Sequence, residues 1–373
     1  MGEATACPVC GDRGLADVIL NIALFIPLGV SIALRGGSLR HAFLWGALLS
    51  IAVETAQRFF IPGRYASLGD LFFNTFGAGA GLLLLRTLPH WLRPNSTLAA
   101  RLSLGAGLFT SAAIAATGWL FAPAPSSGDY VVSWQPKMRN LEQYKGVIRS
   151  VTVGGQSLVP PRHRSPDLAD LIRDQAPIQV RLTAGPPVRR LSAFVTVHDL
   201  QGRQILAVGP DAQWLVVRFR TRSSRLRLDQ PDMRAPDIFR DVRQGQELLV
   251  TARKNGRDFC LGLSADPPCG FGLTAGSGWG LLFFQEQWPK QLYAGLNAFW
   301  IAALAFPVGL WLRPRWESVL AGCAVIVALT FMPVLVDLRS TPPLEYGAAL
   351  AGIVIGIAVA LAGRRSALNC QVQ

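Results

Sequence analysis

Glu54, Gln57, Arg58, Arg64, Asp70 and Asn74 stand in one stretch, ETAQRFFIPGRYASLGDLFFN, between two long apolar runs. Charged groups so placed are expensive in hydrocarbon and usually mark a site or a partner. Three chemistries are open to the set. The carboxylates can neutralise the arginines and cap helix ends, since buried charges are generally paired. The arginines can grip a polar or anionic headgroup, because a guanidinium fork matches phosphate and carboxylate bidentately. Or Glu54 and Asp70 can work as an acid–base pair, which needs one carboxyl tuned upward and a bound reactive group. The sequence offers no nucleophile or metal cluster beside them, so no catalytic residue is assigned.

The elements that must position these residues are apolar helices. Half of the 373 residues are hydrophobic and 16% are charged, against about 25% charged in ordinary soluble domains. Mean hydropathy is +0.32. Apolar runs long enough to span a bilayer occur at Leu15–Leu34, His41–Ile61, Leu68–Leu88 and Ala99–Ala122, then at Leu292–Leu312, Trp316–Val336 and Leu344–Ala362. This predicts a multi-pass α-helical membrane protein of about seven spans. Its parts are a tail at 1–14, a four-helix domain at 15–122, an extracytoplasmic insert at 123–289, three closing helices at 290–363 and a tail at 364–373.

The net charge of +13 is mostly arginine. Arg35, Arg40, Arg86, Arg93, Arg101, Arg313, Arg315, Arg364 and Arg365 fall on one side if the insert is outside, which the positive-inside rule favours. Membrane lipids are the expected partners; no nucleic-acid-binding motif occurs. The orientation puts the N-terminus outside. Either the short tail is translocated with the first span, or a preceding helix is missing from this sequence.

Glu54, Gln57 and Arg58 share one helix face. Pro62-Gly63 ends that helix, and Ser67 with Asp70 can form a capping box on the next. Asp70, Asn74, Gly77 and Gly81 then make one stripe, whose glycines let a neighbour approach closely. Asn21 and Pro27 of the first span are expected to join it. There is also a repeat. Arg64, Asp70, Gly77 and Gly81 recur as Arg339, Glu345, Gly352 and Gly356, while Asn21 and Pro27-Leu28-Gly29 find echoes in Asn297 and Pro307-Val308-Gly309. Glu54, Gln57 and Asn74 have only Leu329, Met332 and Ala349 opposite them.

The order Asp17…Asn21…Phe25-Ile26-Pro27-Leu28-Gly29, Glu54-x-x-Gln57, Arg64, Ser67-x-x-Asp70-x-x-x-Asn74-x-x-Gly77 resembles the VanZ-like family of membrane proteins. That family is named for an accessory protein that lowers sensitivity to teicoplanin. The resemblance implies a bacterial cell-envelope role at the inner membrane, with Glu54, Gln57, Arg64, Asp70 and Asn74 as family positions, but no reaction. The large insert departs from simple members.

The insert alternates apolar and polar residues between turns such as LQGR and KNGR, the pattern of an all-β sandwich or jelly roll. Ile205–Val208, Trp214–Arg220 and the strand ending at KNGRDF resemble a concanavalin A-like or LamG-like sandwich, which implies glycan binding. Loop aspartates Asp199, Asp211, Asp229, Asp232 and Asp237 lack EF-hand spacing, so no metal is assigned. RFRTRSSRLRL at 218–228 is expected to line one sheet face with arginines. Cys260 and Cys269 can pair in an oxidising compartment. Cys7 and Cys10 form a lone CxxC. No cofactor motif occurs. The function expected is non-enzymatic binding of a lipid- or glycan-linked headgroup at the outer leaflet, with a lipid-linked glycan or cell-wall component as the partner. Transport or scrambling of envelope precursors, and glycan or lipid-carrier chemistry through Glu54 and Asp70, are the alternatives.

Overall fold

The computed structural model describes residues 14–60, 67–124, 129–137, 142–159, 162–165, 167–283, 285 and 288–371. Cys7, Cys10, Pro62, Gly63 and Arg64 lie outside them.

Eight α-helices are described: α1 (Gly14–Leu34), α2 (Leu39–Phe60), α3 (Leu68–Leu92), α4 (Ser96–Phe121), the short α5 (Leu168–Arg173), α6 (Tyr293–Leu310), α7 (Trp316–Leu335) and α8 (Pro343–Gln371). Among the described residues, six helices (α1, α3, α4, α6, α7 and α8) are long and apolar enough to cross a membrane. The chain is therefore a multi-span membrane protein. Helix α2 falls short of that composition because it holds Arg40, Glu54 and Arg58. Yet its 22 residues reach about 33 Å, and it exposes Phe43, Leu44, Trp45, Leu48 and Leu49 on its outer surface.

Helices α1 and α3 run parallel. Asn21, early in α1, meets Asp70 in the first turn of α3 at 2.7 Å, and Arg86, late in α3, reaches the Gly37 carbonyl just past α1 at 2.8 Å. If both cross the bilayer, α2 must carry the chain back over the same thickness. The turn into α2 is tight because Gly36 adopts φ +73, closing α1 in the left-handed form that glycine takes without strain.

Helices α1, α2 and α3 pack mainly on one another, whereas α4 packs on α7 and α6. The sequence had grouped α4 with the first three. Its Ser103 donates to the Val308 carbonyl at 2.9 Å, Thr110 to Leu304 at 2.7 Å and Ser111 to Ala324 at 3.1 Å. Such hydroxyl-to-carbonyl bonds hold helices together where lipid offers no hydrophobic drive.

The intervening region is an antiparallel β-sandwich. One sheet orders β4 (Arg162–Ser165), β1 (Tyr130–Trp134), β6 (Val195–Asp199), β7 (Gln204–Asp211), β8 (Trp214–Phe219) and β9 (Met233–Ala235). The other orders β12 (Cys269–Phe271), β11 (Asp258–Gly262), β10 (Glu247–Asn255), β5 (Ile178–Thr183), β2 (Val147–Val153) and β3 (Gln156–Ser157). Val132, Val197, Leu206 and Val217 from the first sheet meet Val151, Val180, Val250 and Leu261 from the second in one core. Gly202 and Gly256 form the left-handed corners of the β6–β7 and β10–β11 hairpins. Cys260 and Cys269 are joined by a disulfide between β11 and β12.

Arginines do not line a strand at 218–228. The strand stops at Phe219, and Arg222–Leu226 is a turn of 3-10 helix. Arg218 is paired with Asp232, and Arg222 stacks 5.1 Å from the Trp119 ring. The turn is needed because Thr221 pairs with Pro123 where α4 enters the sandwich.

The sandwich sits on one end of the bundle. Ala16 at the start of α1 donates to the Arg227 carbonyl at 3.4 Å, Arg222 to Ala122 at 3.0 Å, and Arg339 between α7 and α8 to Leu273 at 3.2 Å.

Candidate functional site

The polar residues gather at the sandwich end of α1, α2 and α3. Ser67 caps α3, its hydroxyl accepting the Asp70 N–H at 3.4 Å. The return arm of the expected capping box comes from another helix: the Ser67 N–H donates to Glu54 Oε2 of α2 at 3.2 Å. Asp70 turns instead to α1, accepting Asn21 Nδ2. Replacing Ser67 by Ala is expected to cost about 1 kcal/mol of stability, read as a lower melting temperature of the detergent-purified protein.

Asn74 lies one turn below Asp70 and is 4% exposed. Its amide donates to Ser50 of α2 at 3.0 Å, but its Oδ1 is buried without a hydrogen-bond partner among the described residues. Gln57 Oε1 is in the same state. A buried amide oxygen without a donor is costly. Arg58 is exposed and makes no ion pair among the described residues. The structure thus brings Asn21, Ser50, Glu54, Ser67, Asp70 and Asn74 together through hydrogen bonds. Ser50 had gone unnoticed because serines in apolar helices are common.

Between α2 and α3 a recess of about 420 Å³ is lined by Ile51, Glu54, Thr55, Arg58, Ser67, Leu68 and Leu71. A second, of about 380 Å³, shares Leu68 and Leu71 and continues along Phe43, Phe72, Thr75 and Phe76. Together they form a mostly apolar groove that carries Glu54, Thr55, Arg58 and Ser67 at its sandwich end.

Glycines set the spacing behind the site. A Cβ at Gly77 or Gly81 would run into the Ile22 or Ile26 carbonyl of α1, and one at Gly29 into Ala78 of α3. The C-terminal helices repeat this register. Gly352 and Gly356 of α8 abut Ala302 and Phe306 of α6, and Gly309 abuts Ile353. Along the first helix of each set the offset is 280 residues (Gly29 to Gly309), and along the third it is 275 (Gly77 to Gly352). This corrects one pairing: Asn297 stands 280 residues after Asp17, and the residue matching Asn21 is Ile301. Helix α7 has left the position of α2 and packs on α4. Among the described residues, then, the second set has no counterpart of the Ser50–Asn74 bond.

The residue matching Asp70 is Glu345, 1% exposed. It accepts the Thr274 hydroxyl, and the Gly276 N–H at 3.0 Å. Asn297 accepts the Trp279 indole N–H at 2.7 Å and lies 3.4 Å from Ser277 Oγ. These donors belong to a turn of 3-10 helix, Ala275–Leu281, and its cap Thr274, at the end of the sandwich.

Further buried charge lies where the sandwich meets α6. Asp232 binds Arg218 at 2.6 Å and Arg234 at 2.8 Å, Arg234 also binds Asp211 at 2.6 Å, and the Arg234 guanidinium lies 5.7 Å from the Tyr293 ring. Burial pushes the Asp232 carboxyl up, but the Arg218 and Arg234 guanidiniums outweigh it and hold it below the usual carboxylate range. Asp199 and Asp237 are likewise engaged, with Arg203 and Arg240. Among the described residues no group of three His, Cys, Asp or Glu side chains could hold a metal ion.

Fold and site define a multi-span helical membrane protein with a β-sandwich on one end of its bundle and a recess between α2 and α3. Residues 4–89 match the VanZ/LLP1 family model, a stretch that takes in α1, α2 and most of α3 and stops before α4. Helices α1, α2 and α3 therefore form a VanZ-like domain. No curated protein and no solved structure matches the chain.

Proposed function

We propose that this protein is a bacterial cell-envelope component of the inner membrane that holds a lipid-linked headgroup at the outer leaflet without chemical turnover. The observation that carries the reading is the two-part groove between α2 and α3. Its upper part offers Glu54, Thr55, Arg58 and Ser67, and its lower part offers Phe43, Phe72 and Phe76. An amphiphile fits such a change of character: Arg58 meets an anionic group and the aromatic wall takes the chain. The arginine-rich turns at the end away from the sandwich support an extracytoplasmic sandwich. A LamG-like sandwich above the groove would extend the contact to sugars; two six-stranded antiparallel sheets support that kinship. Glu54 and Asp70 already accept separate donors, Ser67 and Asn21, which speaks against an acid–base pair. A transporter built from two half-bundles would need both clefts open, and the second is filled.

Native mass spectrometry of gently extracted protein tests the reading. Wild type is expected to carry an amphiphile, Arg58→Ala to lose most of it, and Leu71→Trp, which fills the groove, to exclude it. Bare wild type, or equal retention in all three, would overturn the proposal.

A further inference from the structure

The sandwich core opens at its bundle-facing end. Phe219 of β8 and Phe259 of β11 stand on opposite sheets with their ring centres 6.0 Å apart, and both line a cavity of about 110 Å³. Its other walls are largely apolar: Val217 and Met233 from the sandwich, Phe121 at the end of α4 and Leu338 past α7. An apolar cavity of about 150 Å³ takes one benzene ring. This one therefore admits a small ring or a short chain end and cannot enclose the chains of a two-chain lipid. Three cations, Lys254, Arg257 and Arg339, also line it. Lys254 is paired with Asp337, and Arg339 lies 3.9 Å from Asp258. The Arg257 guanidinium makes no hydrogen bond or ion pair among the described residues.

Two helices end at this cavity in the same way. Past α5 the Ala176 N–H bonds back to the Leu171 carbonyl at 2.8 Å, and past α7 the Leu338 N–H bonds back to Pro333 at 2.9 Å. The residue before each turns left-handed, Gln175 at φ +54 and Asp337 at φ +58. Glycine is the usual occupant of that position, since a side chain strains it. Here each helix keeps a polar side chain instead, and both line the cavity. Asp337 has an internal reason, its pair with Lys254. Gln175 has none: its Oε1 is buried without a hydrogen-bond partner among the described residues, which costs stability. We propose that this cavity binds a small soluble carboxylate that carries one ring-sized apolar group and an O–H or N–H donor. Arg257 takes the carboxylate in its fork, Gln175 Oε1 accepts the donor, and the cavity wall covers the apolar group. Asp337 beside them selects against a dianion such as a phosphate monoester. None of the lining residues belongs to the α2–α3 groove, so the two sites are independent.

Mandelate has all three groups and serves as the probe, beside phenylacetate (no hydroxyl) and mandelamide (no charge). Saturation-transfer difference NMR of the ring protons reads binding to the full chain in nanodiscs of neutral lipid, against empty nanodiscs. Saturable mandelate binding is expected, weakened about tenfold or more by Arg257→Gln, the loss of one charge-assisted contact. Phenylacetate should bind wild type about fivefold more weakly than mandelate, and Gln175→Met should erase that preference. Arg257 has no partner to lose, and methionine matches the shape of glutamine, so both variants should fold; the three ligands on wild type decide the matter if either does not. Absence of a saturable signal above empty nanodiscs, unchanged affinity in Arg257→Gln, or equal binding of mandelamide overturns the proposal. So does a lipid that wild type retains in native mass spectra and Arg257→Gln loses, which would assign the cavity to the outer leaflet.

Discussion

Asp232→Ala is expected to destabilise the sandwich by about 3–5 kcal/mol, the usual result of removing one partner from a buried ion pair. The substitution removes the Asp232 carboxylate from Arg218 and from Arg234, whose side chain is 3% exposed and keeps Asp211 and the Tyr293 ring beside it. It also disturbs the seam with α6, because the Asp232 N–H is held by Gln285 and Gln285 in turn accepts the Tyr293 hydroxyl at its carbonyl. Chemical denaturation followed by near-ultraviolet circular dichroism would show a lower midpoint. Asp237→Asn, which breaks the exposed pair with Arg240, serves as the control and should leave the midpoint nearly in place. An equal fall in both would remove the buried network from its structural role. The same carboxyl sets a pH dependence. Its folded-state pKa lies below the unfolded one, so its contribution is complete above the ordinary carboxylate range and disappears as pH falls through the folded value. The wild-type midpoint should decline at acid pH, and Asp232→Asn should lose part of that decline.

A second large effect is expected at the glycine contacts. Gly29→Leu and Gly309→Leu would each drive a side chain into the backbone of the facing helix, at Ala78 and Ile353 respectively. A flexible neighbour could move aside, but a carbonyl in a helix cannot, so each change should cost about 3 kcal/mol or more, the upper end for overpacking. Gly322→Ala on α7 is the matched control: nothing lies within 4 Å of its Cβ position. Helix propensity makes that change neutral or stabilising by up to about 1 kcal/mol. Heating in detergent followed by size-exclusion chromatography compares them. If Gly29→Leu and Gly309→Leu survive heating as well as Gly322→Ala, the helix pairs are held by something other than close backbone approach.

Much of the scaffold was legible in the sequence because its signals are local. Apolar run length marked the helices, Ser67 marked the start of α3, and LQGR and KNGR marked two hairpins. Gly77 and Gly81 identified a packing face without naming the partner, since a glycine stripe says only that some backbone comes close. What escaped depends on distant groups. The capping box at Ser67 looked closed between residues three apart, yet α2 supplies Glu54 while Asp70 serves α1. Asn21 and Asn297 looked equivalent because both are asparagines near a proline; the backbone contacts place Asn297 one turn nearer the helix start, opposite Asp17. The arginines after Phe219 followed strand periodicity, which cannot register the bridge from Thr221 to Pro123 that ends the strand. The turn around Gly276 carried no signal beyond small residues and one tryptophan, and its significance depends on Glu345, far along the chain.

That separation has a consequence for biogenesis. Thr274 and Glu345 are 71 residues apart, and synthesis proceeds at roughly 5–20 residues per second. For several seconds the sandwich is complete in sequence while α8 is still unmade, and its terminal turn faces a half-built cleft. The seal at Glu345 thus forms late, and a ribosome that stops before α8 leaves the Thr274 hydroxyl and the Gly276 N–H without that acceptor, whereas Trp279 already meets Asn297 and Tyr293 of α6. Truncated chains would thus differ from finished ones by a pair of unsatisfied polar donors at the foot of the sandwich.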